Sequence, residues 1–205
     1  GIVSNFLLPA LVAFSEHYPA ITFEIDVAGT QSILGAVARD DADFGIVFNP
    51  SPHPEIEIGT AIRHPLVALA PRDHPIARLS RVRLHDLCGH RIALPHHAFG
   101  TRQLVESALV VSGLHLGTFL TINSIVLLKV FVSHGLGVTI LPLIALAHDP
   151  RSGSWRAVHI DDPVLGASQL ALCFHRHRPP GAAAATLRVF LETEFTAFFG
   201  SDGSA

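Results

Sequence analysis

The chain has 205 residues, 49% of them apolar and 15% charged, with a formal net charge of −3. That composition belongs to a compact globular protein with room for one large domain or two small ones, and it excludes a disordered chain. It holds no concentrated basic patch for nucleic acid, and no apolar run is long enough to span a bilayer.

Ser4-Asn5 reads as the cap of a helix over residues 6–18, with apolar residues at 7, 8, 11, 12 and 14. Pro9 fits only a first turn, so the helix is expected to begin close to it, and Pro19 stops it. The apolar stripe is wider than one packing face needs, which suits either deep burial or contact with a partner subunit. Ile21, Phe23, Ile25 and Val27 alternate with polar residues, the period of a half-buried strand. Gly29 allows a sharp turn, and Thr30-Gln31-Ser32 supplies small polar side chains where a helix starts. Ile33, Leu34, Val37 and Ala38 fall on one helical face, Asp40-Asp41 ends it, and residues 44–47 form a second strand. The stretch 25–47 is therefore expected to be a parallel strand–helix–strand unit. The free N–H groups at its helix start are suited to holding an anion.

Phe48-Asn49 opens a proline-rich loop, and Ile56 and Ile58 mark a short strand. Residues 66–70 are continuously apolar, as in a strand buried on both faces. The arginine-rich stretch up to Arg83 reads as a surface connection and a first candidate domain boundary. Residues 84–87 form a helical turn and residues 92–94 a strand ended by Pro95. Gly100-Thr101-Arg102 opens a helix with Leu104, Val105, Ala108 and Leu109 inward, closed by Gly113. A strand at 119–122 precedes Asn123-Ser124, which caps a helix over 125–134 closed by Gly135. Strands follow at 138–141, 155–160 and 170–174, then a helix over 182–199 and a frayed end at 200–205. This alternation argues for an α/β layer in each half.

Cys88 and Cys173 are the two cysteines, far apart in sequence, which fits a reducing compartment better than a disulfide scaffold. The chain starts at Gly1 and has no methionine, so it is expected to be a piece of something longer. Among fourteen histidines, His175 and His177 share a strand face and His96-His97 are adjacent, but no zinc-like ligand spacing exists. No nucleophile elbow, phosphate loop or dinucleotide fingerprint is present, so no cofactor and no catalysis are expected.

Leu8-Pro9 with Phe14 and Pro19, then Gly29-Thr30, Leu34 and Asp43, resembles the start of an effector-binding domain of LysR-type transcriptional regulators. The likeness continues through Leu69-Ala70-Pro71-Arg72-Asp73-His74-Pro75, Leu84-His85-Asp86-Leu87 and His134-Gly135-Leu136-Gly137-Val138 to Leu141-Pro142, over essentially the whole chain. The resemblance implies a two-lobed α/β fold like type 2 periplasmic binding proteins, each lobe a mixed sheet flanked by helices. Lobe I would be 1–65 and 167–205, lobe II 66–166, with two crossover strands and a small anionic effector, a carboxylate by preference, in the cleft.

It further implies cleft-facing helix starts at Thr30, Gln31 and Ser32, at Gly100, Thr101 and Arg102, and at Asn123 and Ser124. Phe48, Asn49 and Phe99 would wall the site. The bland alternative is that these residues are ordinary caps and core. The family's DNA-binding helix-turn-helix is absent from this sequence, so DNA contact would come only through that missing domain. The helix at 6–18 would pack on the helix at 125–134 of a second subunit, giving a homodimer, a tetramer at full length, and a cytoplasmic regulator that touches no membrane. A periplasmic solute-binding protein of a transport system shares the fold and is the alternative reading.

Overall fold

The computed structural model describes residues 1–200. A π-helical turn, Val3–Leu7, leads into helix α1 (Leu8–His17), followed by α2 (Thr30–Ala38), strand β1 (Phe44–Phe48), β2 (Ile56–Arg63) and β3 (Leu66–Pro71). Next come β4 (Arg81–Val82), α3 (Leu84–Leu87), β5 (Ile92–Pro95), α4 (Gly100–Ser112) and β6 (Thr118–Ile122). Then follow α5 (Ile125–Ser133), β7 (Val138–Pro142), β8 (Trp155–Ile160), α6 (Pro163–Gly166), β9 (Gln169–His175) and α7 (Ala182–Gly200). The expected frayed end falls on the last residue of α7 and on 201–205, which lie outside the described residues.

The chain forms two compact units, Gly1–Ile62 with Gln169–Ala205, and Arg63–Ser168. The arginine-rich stretch up to Arg83, read as a candidate boundary, therefore lies inside the second unit.

In the first unit the strand order is β1-β9-β2, with Phe44 opposite Phe174 and Phe48 opposite Leu170 in an antiparallel ladder. Helix α2 lays Leu34 and Val37 on Val47, Ile56, Ala171 and Cys173, the apolar face its spacing predicts. The approach is close: a Cβ on Gly45 would lie 2.5 Å from Ile33 Cγ2. Away from the sheet, α1 and α7 share an aromatic cluster. Phe6 meets Phe195 edge-on at 5.3 Å, and the fully shielded Phe14 is ringed by Tyr18, Phe23 and Phe190.

Two expectations for this unit are corrected. Residues 21–28 join no strand ladder, Val27 is 77% exposed, and β1 is itself a sheet edge. The predicted strand–helix–strand unit reduces to a helix followed by a strand. Alternation specifies an apolar face but not the neighbour whose N–H and C=O groups hold a strand in place. The first helix starts earlier than read, for Ser4 is no cap and its hydroxyl donates to the Gly1 carbonyl. The Leu8 N–H reaches back five residues to Val3 O, and this widened turn admits Pro9 although the helical stretch does not begin beside it.

In the second unit the strand order is β4-β8-β3-β7-β5-β6. Strand β3 is antiparallel to β7 and β8, while β5 is parallel to β6 and β7. As its composition predicts, β3 is buried from Leu66 to Ala70. Leu128, Phe131 and Val132 of α5 pack on Val67, Leu69, Ala93 and Leu141. Near both chain crossings, the His64 N–H donates to Ser168 O at 3.0 Å and the Ser168 hydroxyl returns a bond to His64 O at 2.7 Å.

Candidate functional site

The first unit contributes one helix start. Gly29 is extended at φ −71°, ψ 156°, and α2 begins at Thr30 without a side-chain cap. Thr30 is buried, and its hydroxyl donates to Phe48 O at 3.3 Å, so the helix start is tied to the end of β1. Asn49 follows with φ 49°, a left-handed conformation that asparagine tolerates, and its N–H donates to Gln169 O at 2.7 Å. Gln31 and Ser32 are exposed, Gln31 Nε2 reaching Ser51 Oγ at 3.4 Å. Thr30, Gln31, Ser32, Phe48 and Asn49 are thus neighbours.

The second unit contributes two helix starts. Strands β5 and β6 are parallel with Pro95 opposite Ile122, so both end at the same sheet edge. The His96 N–H donates to Ile122 O at 3.0 Å and ties the two exits together. From there α4 returns the chain to β6, while α5 carries it past β5 to β7. Right-handed crossovers place those helices on opposite faces, the arrangement at whose carboxyl edge α/β folds take ligands. Phe99, Gly100, Thr101 and Arg102 accordingly share this edge with Asn123 and Ser124. Ser124, rather than the exposed Asn123, is the cap of α5, accepting from Leu127 N at 3.4 Å.

The electrostatic centre of this edge is Arg102. Its side chain is only 10% exposed, and Nε donates to Glu106 Oε1 at 2.7 Å. Nη1 is shielded from solvent with no hydrogen-bond partner among the described residues. A buried guanidinium nitrogen without an acceptor carries an uncompensated loss of hydration. Thr101 beside it is buried as well, 4% exposed. An anion accepting from Nη1 would restore the missing interaction. His97 and Glu106 complete the charged cluster, of which the sequence marked His97 only as one of two adjacent histidines.

A groove of about 770 Å³ lies elsewhere in the first unit, along β2 and α7. Its Arg188 and Glu57 pair with each other at 2.8 Å, and none of the expected site residues lines it.

A family model described as the LysR substrate binding domain matches residues 1–196. The HTH-type transcriptional regulator YbhD of Escherichia coli (strain K12) is 30% identical over 163 residues, 80% of this chain and 51% of that protein. The HTH-type transcriptional regulator YfeR of Shigella flexneri is 30% identical over 186 residues, 90% of this chain and 59% of that protein. The chain thus spans between half and three-fifths of these curated relatives. Among solved structures, the Synechocystis PCC6803 CcmR regulatory domain in complex with 2-PG superposes with a TM-score of 0.83 at 20% identity, covering 93% of this chain and 91% of that one. The effector binding domain of QuiR in complex with shikimate gives 0.82 at 18% identity, covering 97% and 94%. At those identities the likeness is one of fold.

Proposed function

The chain belongs to the family of LysR substrate-binding domains, and from that premise we propose that it senses a small anionic metabolite, a carboxylate by preference. The observation that carries the reading is the shielded Nη1 of Arg102 at the start of α4, without a hydrogen-bond partner among the described residues. Supporting it, two proteins of the same fold have solved structures in complex with small ligands, 2-PG and shikimate. The second unit offers Phe99, Gly100, Thr101, Arg102, Asn123 and Ser124 as proposed effector-binding residues, and the first unit by itself offers Thr30, Gln31, Ser32, Phe48 and Asn49.

The proposed output is control of transcription in the bacterial cytoplasm by a longer protein whose DNA contacts lie in a domain outside this chain. Binding biases the arrangement of subunits. The homodimer would pair α1 of one subunit with α5 of another, and a full-length tetramer would follow. Leu8 (46%) and Val12 (64%) on α1, and Val126 (54%) and Leu127 (52%) on α5, are exposed apolar residues consistent with such a face. The transport reading is not favoured, since the curated relatives are transcriptional regulators.

The test is a thermal-shift screen of small carboxylates and phosphate esters, followed by calorimetry on each hit. Arg102→Gln is expected to weaken a hit at least tenfold, and Thr101→Ala and Ser32→Ala by less. Unchanged affinity in all three variants would place the site elsewhere.

A further inference from the structure

Arg102 does not stand alone on α4. The Glu106 Oε1 that accepts from Arg102 Nε at 2.7 Å lies 3.0 Å from His97 Nδ1. The guanidinium is sheltered, whereas the Glu106 and His97 side chains are 42% and 61% exposed. One carboxylate is therefore shared between a buried permanent cation and a solvent-reached imidazole. Gln103 holds the loop in place, its Nε2 donating to His97 O at 3.1 Å.

We propose that Glu106 and His97 set the charge of the anion that Arg102 accepts, and that an anion bound there draws a proton onto His97. The inference rests on the reading of Arg102 as an effector-binding cation. With a neutral imidazole, Arg102 and Glu106 sum to zero and the carboxylate repels an incoming anion. With an imidazolium the cluster carries one net positive charge, and the carboxylate is engaged from both sides. Since the anion is bound more tightly by the protonated cluster, reciprocity requires that the anion raise proton occupancy. Among side chains, histidine is the one whose ordinary charge change lies between about pH 5 and 8.

Other groups near His97 do not upset this balance. The His96 ring centroid is 5.7 Å away, and its Nδ1 accepts from Ala98 N. Helix α4 packs against β5, β7 and α6, whose residues carry no charged side chain. Asp162, at the head of α6, accepts from Val164 N and Leu165 N.

Sodium sulfate is the probe, because its charge is constant between pH 6.0 and 8.0. The chain is titrated at fixed ionic strength, with the His97 imidazole followed by NMR and proton uptake read by calorimetry in two buffers of different ionisation enthalpy. Sulfate is expected to bind about tenfold tighter at pH 6.0 than at pH 8.0, the order that one added unit charge at partial screening provides. His97→Gln is expected to hold the weaker affinity at both pH values, and Glu106→Gln to bind more tightly than the parent at pH 8.0. Sulfate binding that is lost in Arg102→Gln yet independent of pH overturns this inference alone. No sulfate binding at either pH, or binding unaffected by Arg102→Gln, overturns the reading of Arg102 as well.

Discussion

Lys129 Nζ lies 2.6 Å from Asp149 Oδ2, and the two side chains are only 9% and 2% exposed. Lys129 also donates to Ala145 O at 2.8 Å, and Arg151 forks onto the same carboxylate through Nε at 2.9 Å and Nη2 at 2.8 Å. The Arg151 hydrogen bonds hold the Asp149 carboxyl well below the usual carboxylate range against the opposing effect of burial, with help from Lys129. Lys129→Met leaves a buried carboxylate short of a partner and is expected to destabilise the protein by about 3 kcal/mol in urea unfolding. Because the folded carboxyl is the more acidic, its contribution is complete above the unfolded value near pH 4 and fades as pH falls below it. Asp149→Asn should therefore flatten the loss of thermal midpoint below about pH 4.

Thr30 separates structure from binding within one helix start. Its buried hydroxyl satisfies Phe48 O, so Thr30→Val should lower stability by about 1–2 kcal/mol. Ser32→Ala alters an exposed residue and should change stability by less than about 0.5 kcal/mol while weakening the effector. Chemical denaturation of both variants beside ligand titration checks the pair.

Gly137 is fixed by contact with backbone. A Cβ there would lie 2.2 Å from Arg91 O, the carbonyl that also accepts from Val138 N at 2.9 Å. Since no flexible side chain can yield, Gly137→Ala is expected to cost about 3 kcal/mol, read as a lowered urea midpoint. Gly117→Ala, whose added Cβ would meet nothing within 4 Å, is the control that should stay close to the parent.

The cysteines should report accessibility. Cys173 is fully shielded and burial pushes its thiol up to about 12, whereas Cys88 is partly exposed with Sγ 3.7 Å from both Leu84 O and His115 O. Ellman's reagent is expected to titrate one thiol in the native protein and two in denaturant. Two fast native thiols would contradict this packing.

Much of the chain was legible because its signals are local. Gly113 (φ 64°) and Gly135 (φ 73°) adopt the left-handed geometry that marks a helix end. Asp40, read as part of a helix end, adopts the same geometry at φ 64°, and Asp41 N bonds back to Ala36 O. The unbroken apolar run at Leu66–Ala70 could be satisfied only in a strand covered on both faces.

What failed was pairing. Ile21–Val27 has a strand's alternation and no strand's ladder, and Ser4 marked a helix start that Val3 had already passed. The site divides in the same way. Small polar residues at three helix starts were visible by spacing, but that Thr30 faces Phe48 O was not. Nor was it visible that Ser124 caps while Asn123 does not, or that one carboxylate of Glu106 serves both Arg102 and His97.

By itself the sequence determined the helices, their glycine-marked C-terminal ends, the buried strands and the family, because propensity, capping and hydrophobic period act over a few residues. Tertiary structure alone decided strand order, the burial of Arg102 with no partner for Nη1 among the described residues, and the enclosure of Lys129 with Asp149. Those depend on which distant groups share a low-dielectric space, and Coulombic and desolvation energies are set by that proximity rather than by order along the chain.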